Sequence, residues 1–257
     1  MNDQPELVRL DISTDDNGVA IATITLDSQP NRNAISRALQ RQLMTNLDAA
    51  DLHDSVQAVV IRADGPVFCA GADMSEAASG NMEKGARRLV ALQRKIATLD
   101  KPVIARIHGP VRAGGLGIVA ACDAAISADS VSYAFTEVRL GLAPAVISLT
   151  VLPRLTDRAA ARYFLTGETF EAAEAERIGL ITKAVPADQL DEAVDAIVDS
   201  WRNASAQGLR ETKALLNRRL VHSIDELGEH VVRQSARLFG SDEAIAAMSA
   251  FLEKRDR

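Results

Sequence analysis

Several features are scarce in this sequence of 257 residues, and each absence argues against a particular kind of site, partner or location. There are only two cysteines and four histidines, and none of them has the spacing of a metal site. Lys and Arg total 29 against 35 Asp and Glu, so no basic excess favours nucleic acid as a partner. No apolar run approaches the about 20 residues that cross a bilayer. The beginning of the chain lacks a basic segment followed by an apolar one, so we expect no signal peptide and a cytoplasmic location.

What is present is ordinary globular composition with an alternating pattern of strands and helices. Hydrophobic residues make up 47% and charged residues 25%, which is enough to bury a core. Residues 7–13 and 19–26 alternate apolar and polar positions around the turn DDNG, which predicts a hairpin. Ser36 is a good N-cap for a helix, and short apolar strands are predicted at 57–63 and 102–107.

The pattern changes near residue 188, where strand character ends. Amphipathic helices are predicted at 189–201, 205–220, 224–239 and 241–254. We therefore divide the chain into an α/β core, residues 1–188, and a helical region, residues 189–257. Because the helical region carries more apolar surface than one core can absorb, it is expected to mediate oligomerisation.

Three segments rich in glycine and other small residues are the candidates for chemistry: FCAGAD, RAGGLG and TEVRLGLAP. The first two each follow a predicted strand and precede a helix, so their free backbone amides suit an oxyanion or a phosphate. Two such turns brought together would polarise a carbonyl group. The third segment supplies Glu137 between Phe135 and Val138. A carboxyl group held against apolar neighbours can act as a general acid or base.

The order of these segments resembles the crotonase family, also called the enoyl-CoA hydratase/isomerase family. The resemblance rests on LDSQPNRNAIS, FCAGADM, the AGG turn followed by AACD, TEVRLGLAP, LTGETFEAAEAERIGLITKAVP and AFLEKR, and it covers nearly the whole chain. It implies an α/β fold, a crotonase-like spiral of ββα units, with a helical C-terminal trimerisation region. It also implies a homotrimer or a dimer of trimers.

The resemblance implies specific roles for individual residues. The backbone N–H groups of Ala72 and Gly114 would hold the oxygen of an acyl-CoA thioester as it becomes an enolate, and Glu137 would be the acid/base. Coenzyme A enters as part of the substrate, and no separate cofactor is expected. The residues expected to contact CoA are Arg32, Ala34, Ala70, Asp73, Met74, Phe251 and Lys254, the last two by resemblance from a neighbouring subunit's final helix.

One position departs from the family's hydratases, which use two glutamates on one water. The second glutamate is Glu137, but the first corresponds to Gly117. The expected reaction is reversible hydration of a 2-enoyl-CoA, as in fatty-acid or related acyl-CoA metabolism. The alternatives are 3,2-enoyl-CoA isomerisation by Glu137 alone and, in another class, acyl-CoA binding without chemistry.

Other interpretations of the same residues remain open. GLGIVA matches a dinucleotide fingerprint with Glu137 about twenty residues on, although a lone fingerprint is weak. Cys69 and His108 are expected to be structural, and Arg112 either approaches the thioester pocket or is solvated. Glu76 is the nearest candidate in sequence to replace the absent carboxylate.

Overall fold

The computed structural model describes residues 5–77 and 82–255 and places two sheets and ten helices in them. The strands are β1 Val8–Thr14, β2 Ala20–Leu26, β3 Val56–Ala63, β4 Val103–Ile107, β5 Val111–Arg112, β6 Ala124–Ala128, β7 Ser132–Ala134, β8 Phe170–Glu171 and β9 Lys183–Val185. The helices are α1 Arg37–Leu52, α2 Met74–Ala77, α3 Met82–Thr98, α4 Gly114–Ala121, α5 Ala145–Val151, α6 Asp157–Thr166, α7 Ala172–Arg177, α8 Leu190–Arg202, α9 Ala206–Phe239 and α10 Asp242–Arg255.

The larger sheet has the order β1-β2-β3-β4-β6-β9, and the smaller has the order β5-β7-β8. The β1–β2 pair is antiparallel, as the DDNG turn predicts, and the remaining pairs of the larger sheet are parallel. Strand β3 is buried at most of its positions, which explains its near-continuous apolar sequence. The mixed α/β architecture of the prediction is confirmed.

The local sequence determines where helix α1 begins and which of its faces is buried. The Ser36 side chain accepts a hydrogen bond from the Leu39 amide at 3.2 Å, which satisfies one of the free donors of the first turn. Leu39, Leu43 and Leu47 then repeat on one face and are fully buried in the main core. The predicted cap and apolar stripe are confirmed.

The C-terminal prediction is wrong in one respect, because 205–220 and 224–239 form a single helix, α9, of 34 residues. The segment Val221–Ser223 contains no glycine or proline, so nothing in it forces the helix to end. Ile224 and Val232 on this helix are buried against α3 and α5. Packing against α3 and α5 therefore stabilises α9 through residues 221–223, whose helix propensity is modest.

Helix α8 packs on β3, β4 and β6, and its Leu190, Val194 and Val198 belong to the main core. The domain boundary at residue 188 remains a prediction. Among the described helices, none is both long and apolar enough to cross a membrane.

Candidate active site

One pocket of about 1130 Å³, measured with its open mouth, brings the three predicted small-residue segments together. Its walls come from the loop before α2, from α3, from the start of α4, from the turn at residues 136–140, from α5 and from the end of α9. Ala72, Gly114 and Glu137 all line it. The fold thus brings Ala72 and Glu137, which are 65 positions apart in the sequence, to the same pocket.

The Ala72 segment is held in place by its pairing with the residues before α1. Ile35 and Ala72 form an isolated parallel bridge, in which the Ile35 amide donates to the Gly71 carbonyl at 2.7 Å. In that register the Ala72 amide faces away from the partner strand. Among the described residues it has no hydrogen-bond acceptor, so it is available to a ligand in the pocket.

Gly114 is the first residue of α4, where backbone amides have no partner within the helix. The preceding residue, Ala113, has φ 45° and ψ −118°, a conformation that L-residues rarely adopt. This strained residue turns the chain sharply from β5 into α4 and is fixed by a hydrogen bond from its amide to the Ala134 carbonyl at 3.1 Å. The Gly114 amide therefore lies at the positive end of the α4 dipole.

Glu137 lies in a 3-10 turn, Thr136–Leu140, beside the buried Phe135. Its Oε2 atom is buried and has no hydrogen-bond partner among the described residues. Burial disfavours the charged carboxylate and raises the pKa of Glu137 to about 7, although a hydrogen bond to the backbone partly opposes this. A carboxyl group with this pKa can both release and accept a proton near neutral pH.

The space beside Gly117, where the resemblance places the first of the two hydratase glutamates, is filled by other side chains. A Cβ atom at Gly117 would lie 2.7 Å from Cγ2 of Ile147 and 3.1 Å from Oε1 of Gln93. The Thr150 hydroxyl bonds to Oε1 of Gln93 at 2.7 Å and to the Gly117 carbonyl at 3.1 Å. Residue 117 does not line the pocket, and the space for a longer side chain there is already occupied.

Some of the residues that are predicted to contact CoA line the pocket, and others do not. Ala70, Asp73 and Met74 line it, whereas Arg32 and Ala34 do not. Phe251 and Lys254 fall on α10, but their side chains lie outside the described residues. Their assignment to CoA remains a prediction.

The other candidates are mostly structural. Nε2 of His108 lies 2.7 Å from the Gly65 carbonyl, and the Cys69 thiol is fully buried, which raises its pKa to about 12. Arg112 does not line the pocket; it is half-buried, and its guanidinium donates hydrogen bonds to Ser132 of β7. Glu76 does line the pocket, but its carboxylate accepts the Arg37 backbone amide at 3.1 Å.

The dinucleotide alternative finds no support in this geometry. A Cβ at Gly115 would lie 2.7 Å from Cβ of Cys69, so this part of α4 is packed against protein and leaves no space for a pyrophosphate. Among the described residues, no group of three or more His, Cys, Asp or Glu could hold a metal ion.

Ile147 of α5 and Arg88 of α3 are among the pocket residues that sequence reasoning missed. Helical periodicity could indicate that Ile147 is buried, but not that it faces α4. Arg88 lies in a basic segment that predicts an exposed face, and its neighbour Arg87 is indeed exposed. No signal in the sequence separates the two arginines.

An α/β fold whose pocket combines two free backbone amides with one buried carboxyl group agrees with the family that the sequence resembles. A family profile described as enoyl-CoA hydratase/isomerase matches residues 16–257, and the chain belongs to this family, with its crotonase fold. The relative "Probable enoyl-CoA hydratase echA8" of Mycobacterium tuberculosis is 31% identical over 91% of this chain and 92% of its own.

Solved structures agree with this assignment. An enoyl-CoA hydratase from Mycobacterium avium is 46% identical, covers 98% of each chain and superposes with a TM-score of 0.88. One from Mycobacterium smegmatis is 28% identical, covers 97% of each chain and has a TM-score of 0.77. The similarity includes the helical C-terminal part of the chain.

Proposed function

We propose that this protein is an acyl-CoA enzyme that adds water reversibly to a 2-enoyl-CoA thioester, with Glu137 as its acid/base. The observation that carries the proposal is the buried Oε2 atom of Glu137, which has no partner among the described residues. Glu137 lines the same pocket as Ala72 and Gly114, whose amides are available to a ligand. The names of the similar hydratases support the same reaction.

The two amides have a defined task in this proposal. The N–H groups of Ala72 and Gly114 donate to the thioester oxygen, and these hydrogen bonds strengthen as negative charge develops on it in the enolate. Removal of one such donor in other enzymes costs about 10²–10³ in rate. The positive end of the α4 dipole acts in the same direction on Gly114.

One carboxyl group can carry out the whole addition. The Glu137 carboxylate takes a proton from water as the water oxygen bonds to Cβ of the enoyl group. The electron pair of the Cα–Cβ double bond moves toward the thioester, and Glu137 then delivers the same proton to Cα. The carboxylate is regenerated, and the product carries one added H and one added OH. The pKa of about 7 makes both transfers feasible.

Isomerisation of a 3-enoyl-CoA is a second candidate, favoured by the apolar Ile147 against the backbone at Gly117. Within the described part of the chain, the atoms nearest a Cβ at Gly117 belong to Ile147 and Gln93, and no carboxyl group is among them to orient water. Glu137 alone would remove a proton from Cα and return it to Cγ, so the double bond moves into conjugation with the thioester. The same oxyanion contacts would stabilise the intermediate enolate.

The proposal is tested by following 2-enoyl-CoA and 3-enoyl-CoA separately with wild type and Glu137→Gln. We expect hydration by wild type and a loss of about 10²–10⁴ in the variant, because the amide cannot transfer the proton. Glu171→Gln removes an exposed carboxyl group elsewhere and should keep wild-type turnover. Turnover of only the 3-enoyl substrate would select isomerisation, and tight acyl-CoA binding without turnover would select a binding protein.

The assembly and the location are also proposed. Leu215 and Leu216 on α9 are 64% and 73% exposed, which supports a homotrimer or dimer of trimers that covers this helix. The two cysteines are free and buried, as suits a reducing, cytoplasmic environment.

A further inference from the structure

Arg88 is a charged residue in the wall of the pocket, whose lining is mostly apolar but also includes Asp73, Glu76 and Glu137. Among the described residues that line this pocket it is the only cationic one, and its neighbours there include Met82, Ala86 and Leu89. Its Nε atom is buried without a hydrogen-bond partner among the described residues. A buried donor that lacks an acceptor is costly, and Arg88 Nε, unlike the similarly unpartnered Nε atoms of Arg62 and Arg202, belongs to a pocket residue, so a ligand could supply its acceptor.

Helix α3 fixes how far Arg88 lies from the proposed reacting carbonyl. Leu89 is at the Gly114 end of the pocket, since its Cδ2 lies 3.4 Å from where a Gly114 Cβ would be. The Arg88 guanidinium instead lies beside Gly85, with Nη2 3.9 Å from where a Gly85 Cβ would be. Gly85 precedes Leu89 by one helical turn, or about 6 Å. The guanidinium therefore lies about one helical turn from the Gly114 end of the pocket, a separation that a short acyl chain can span.

One cation and one anion act on Arg88 from nearby. Burial lowers the pKa of Arg88, the positive Arg37 lowers it further, and Glu76 opposes both. Glu76 already accepts the Arg37 backbone amide with both of its carboxylate oxygens. A carboxylate on the ligand could pair with the guanidinium through charge-assisted hydrogen bonds, whereas an alkyl chain would leave the guanidinium desolvated.

We propose that Arg88 is a specificity-determining residue that selects acyl-CoA thioesters whose short acyl chain ends in a carboxylate. This inference rests on the proposed function, because it assumes that the thioester carbonyl lies at Ala72 and Gly114. It goes further in naming the chemical class of the acyl group. Arg88 binds the substrate and transfers no proton.

The test compares the binding of saturated acyl-CoA pairs by calorimetry, so that the readout does not depend on turnover. The pairs are succinyl- and butanoyl-CoA, glutaryl- and pentanoyl-CoA, and adipyl- and hexanoyl-CoA. We expect wild type to bind the carboxylated member of at least one pair about 10- to 100-fold more tightly, as a charged hydrogen-bonded pair allows. A preference for the alkyl member in every pair, or equal binding, overturns the inference.

Three variants test whether Arg88 causes the preference for the carboxylated thioester. Arg88→Met should abolish it while keeping the affinity for the alkyl thioester, and Arg88→Lys should retain part of it through its charge. Arg87→Met is the matched control, because Arg87 is exposed and pairs with Glu83 and Glu229. If Arg88→Met weakens free CoA and all thioesters equally, the guanidinium binds the CoA moiety and the inference is wrong.

The same data separate this inference from the proposed function. Binding of alkyl thioesters without any carboxylate preference leaves the proposed function intact and contradicts only the role of Arg88. Failure of wild type to bind CoA and every thioester contradicts both.

Discussion

At the scale of single residues, the burial of Glu137 has a cost in stability that depends on pH. Its pKa is raised from 4.5 to about 7 in the folded protein because burial disfavours the carboxylate. The unfolded chain releases this proton at lower pH, so the free energy of unfolding falls as pH rises from about 4.5 to 7. Above pH 7 the penalty is on the order of 3 kcal/mol at most.

Glu137→Gln should remove this penalty because its amide is neutral at every pH. We expect the variant to be more stable than wild type at pH 8 by up to about 3 kcal/mol, and this gain to shrink toward pH 4. Urea unfolding across that pH range measures it. Glu171→Gln provides the control, and a gain that did not vary with pH would contradict the burial of the charge.

A second residue-scale prediction concerns Gly117. In a helix interior, glycine to alanine normally stabilises by about 1 kcal/mol, but here the new Cβ would overlap Ile147. We expect Gly117→Ala to destabilise the protein by about 1–3 kcal/mol, as overpacking does. Urea unfolding of the variant measures the change.

A double-mutant cycle shows whether Ile147 is the cause. Ile147→Ala removes Cγ2 and should make Gly117→Ala much less costly in that background. An equal cost in both backgrounds would mean that Ile147 does not occupy the space. The same overlap predicts that Gly117→Glu alone does not increase hydration.

Some residues of the candidate site could be predicted from the sequence, and others could not. Ala72, Gly114 and Glu137 could be found because each belongs to a short segment whose small residues or apolar flanks are visible in the chain. Ile147 and Arg88 could not, because their positions depend on which faces of α5 and α3 meet the pocket. That choice is made by packing between distant helices and leaves no local pattern.

At the scale of elements, the turn into α4 stores backbone strain beside the Gly114 amide. Ala113 has a positive φ of 45°, a conformation that glycine adopts more easily. We expect Ala113→Gly to stabilise the protein by about 1 kcal/mol, since relief of strain exceeds the added entropy of the unfolded chain. Thermal or urea unfolding measures the change.

Ala120→Gly in the same helix is the matched control. Ala120 is helical and more deeply buried than the half-buried Ala113, so glycine there should destabilise by about 1 kcal/mol. Opposite signs for the two variants identify the strain at residue 113, whereas destabilisation by both would contradict it.

Element boundaries were predictable where local chemistry sets them. The Ser36 cap and the DDNG turn define the start of α1 and the β1–β2 hairpin from a few adjacent residues. The 34-residue α9 was not predictable, because its continuity through residues 221–223 depends on packing against α3 and α5. The small sheet of β5, β7 and β8 likewise depends on pairing between short, distant segments.

At the scale of the whole molecule, α9 buries one face against the chain itself and leaves two leucines outside that face exposed. Leu220 and Ile224 are buried, while Leu215 and Leu216 are exposed. We expect wild type to sediment as a trimer or a dimer of trimers at micromolar concentration. Replacing both exposed leucines by serine should shift the protein toward smaller species, because it removes apolar area from the contact.

Leu52→Ser is the control for this experiment. Leu52 is 82% exposed but lies at the end of α1 and not on α9, so its replacement should leave sedimentation unchanged if α9 forms the contact. A monomeric wild type, or dissociation caused by Leu52→Ser instead, would contradict the proposed assembly surface.

The whole account depends on Glu137 as the one proton-transfer group of the pocket, and the pH dependence of kcat/KM for a 2-enoyl-CoA tests this most directly. Because hydration begins from the carboxylate, we predict that kcat/KM rises through a single step near pH 7. The step and the activity should both be lost in Glu137→Gln. A step near pH 4–5, or wild-type turnover in the variant, would contradict the assignment.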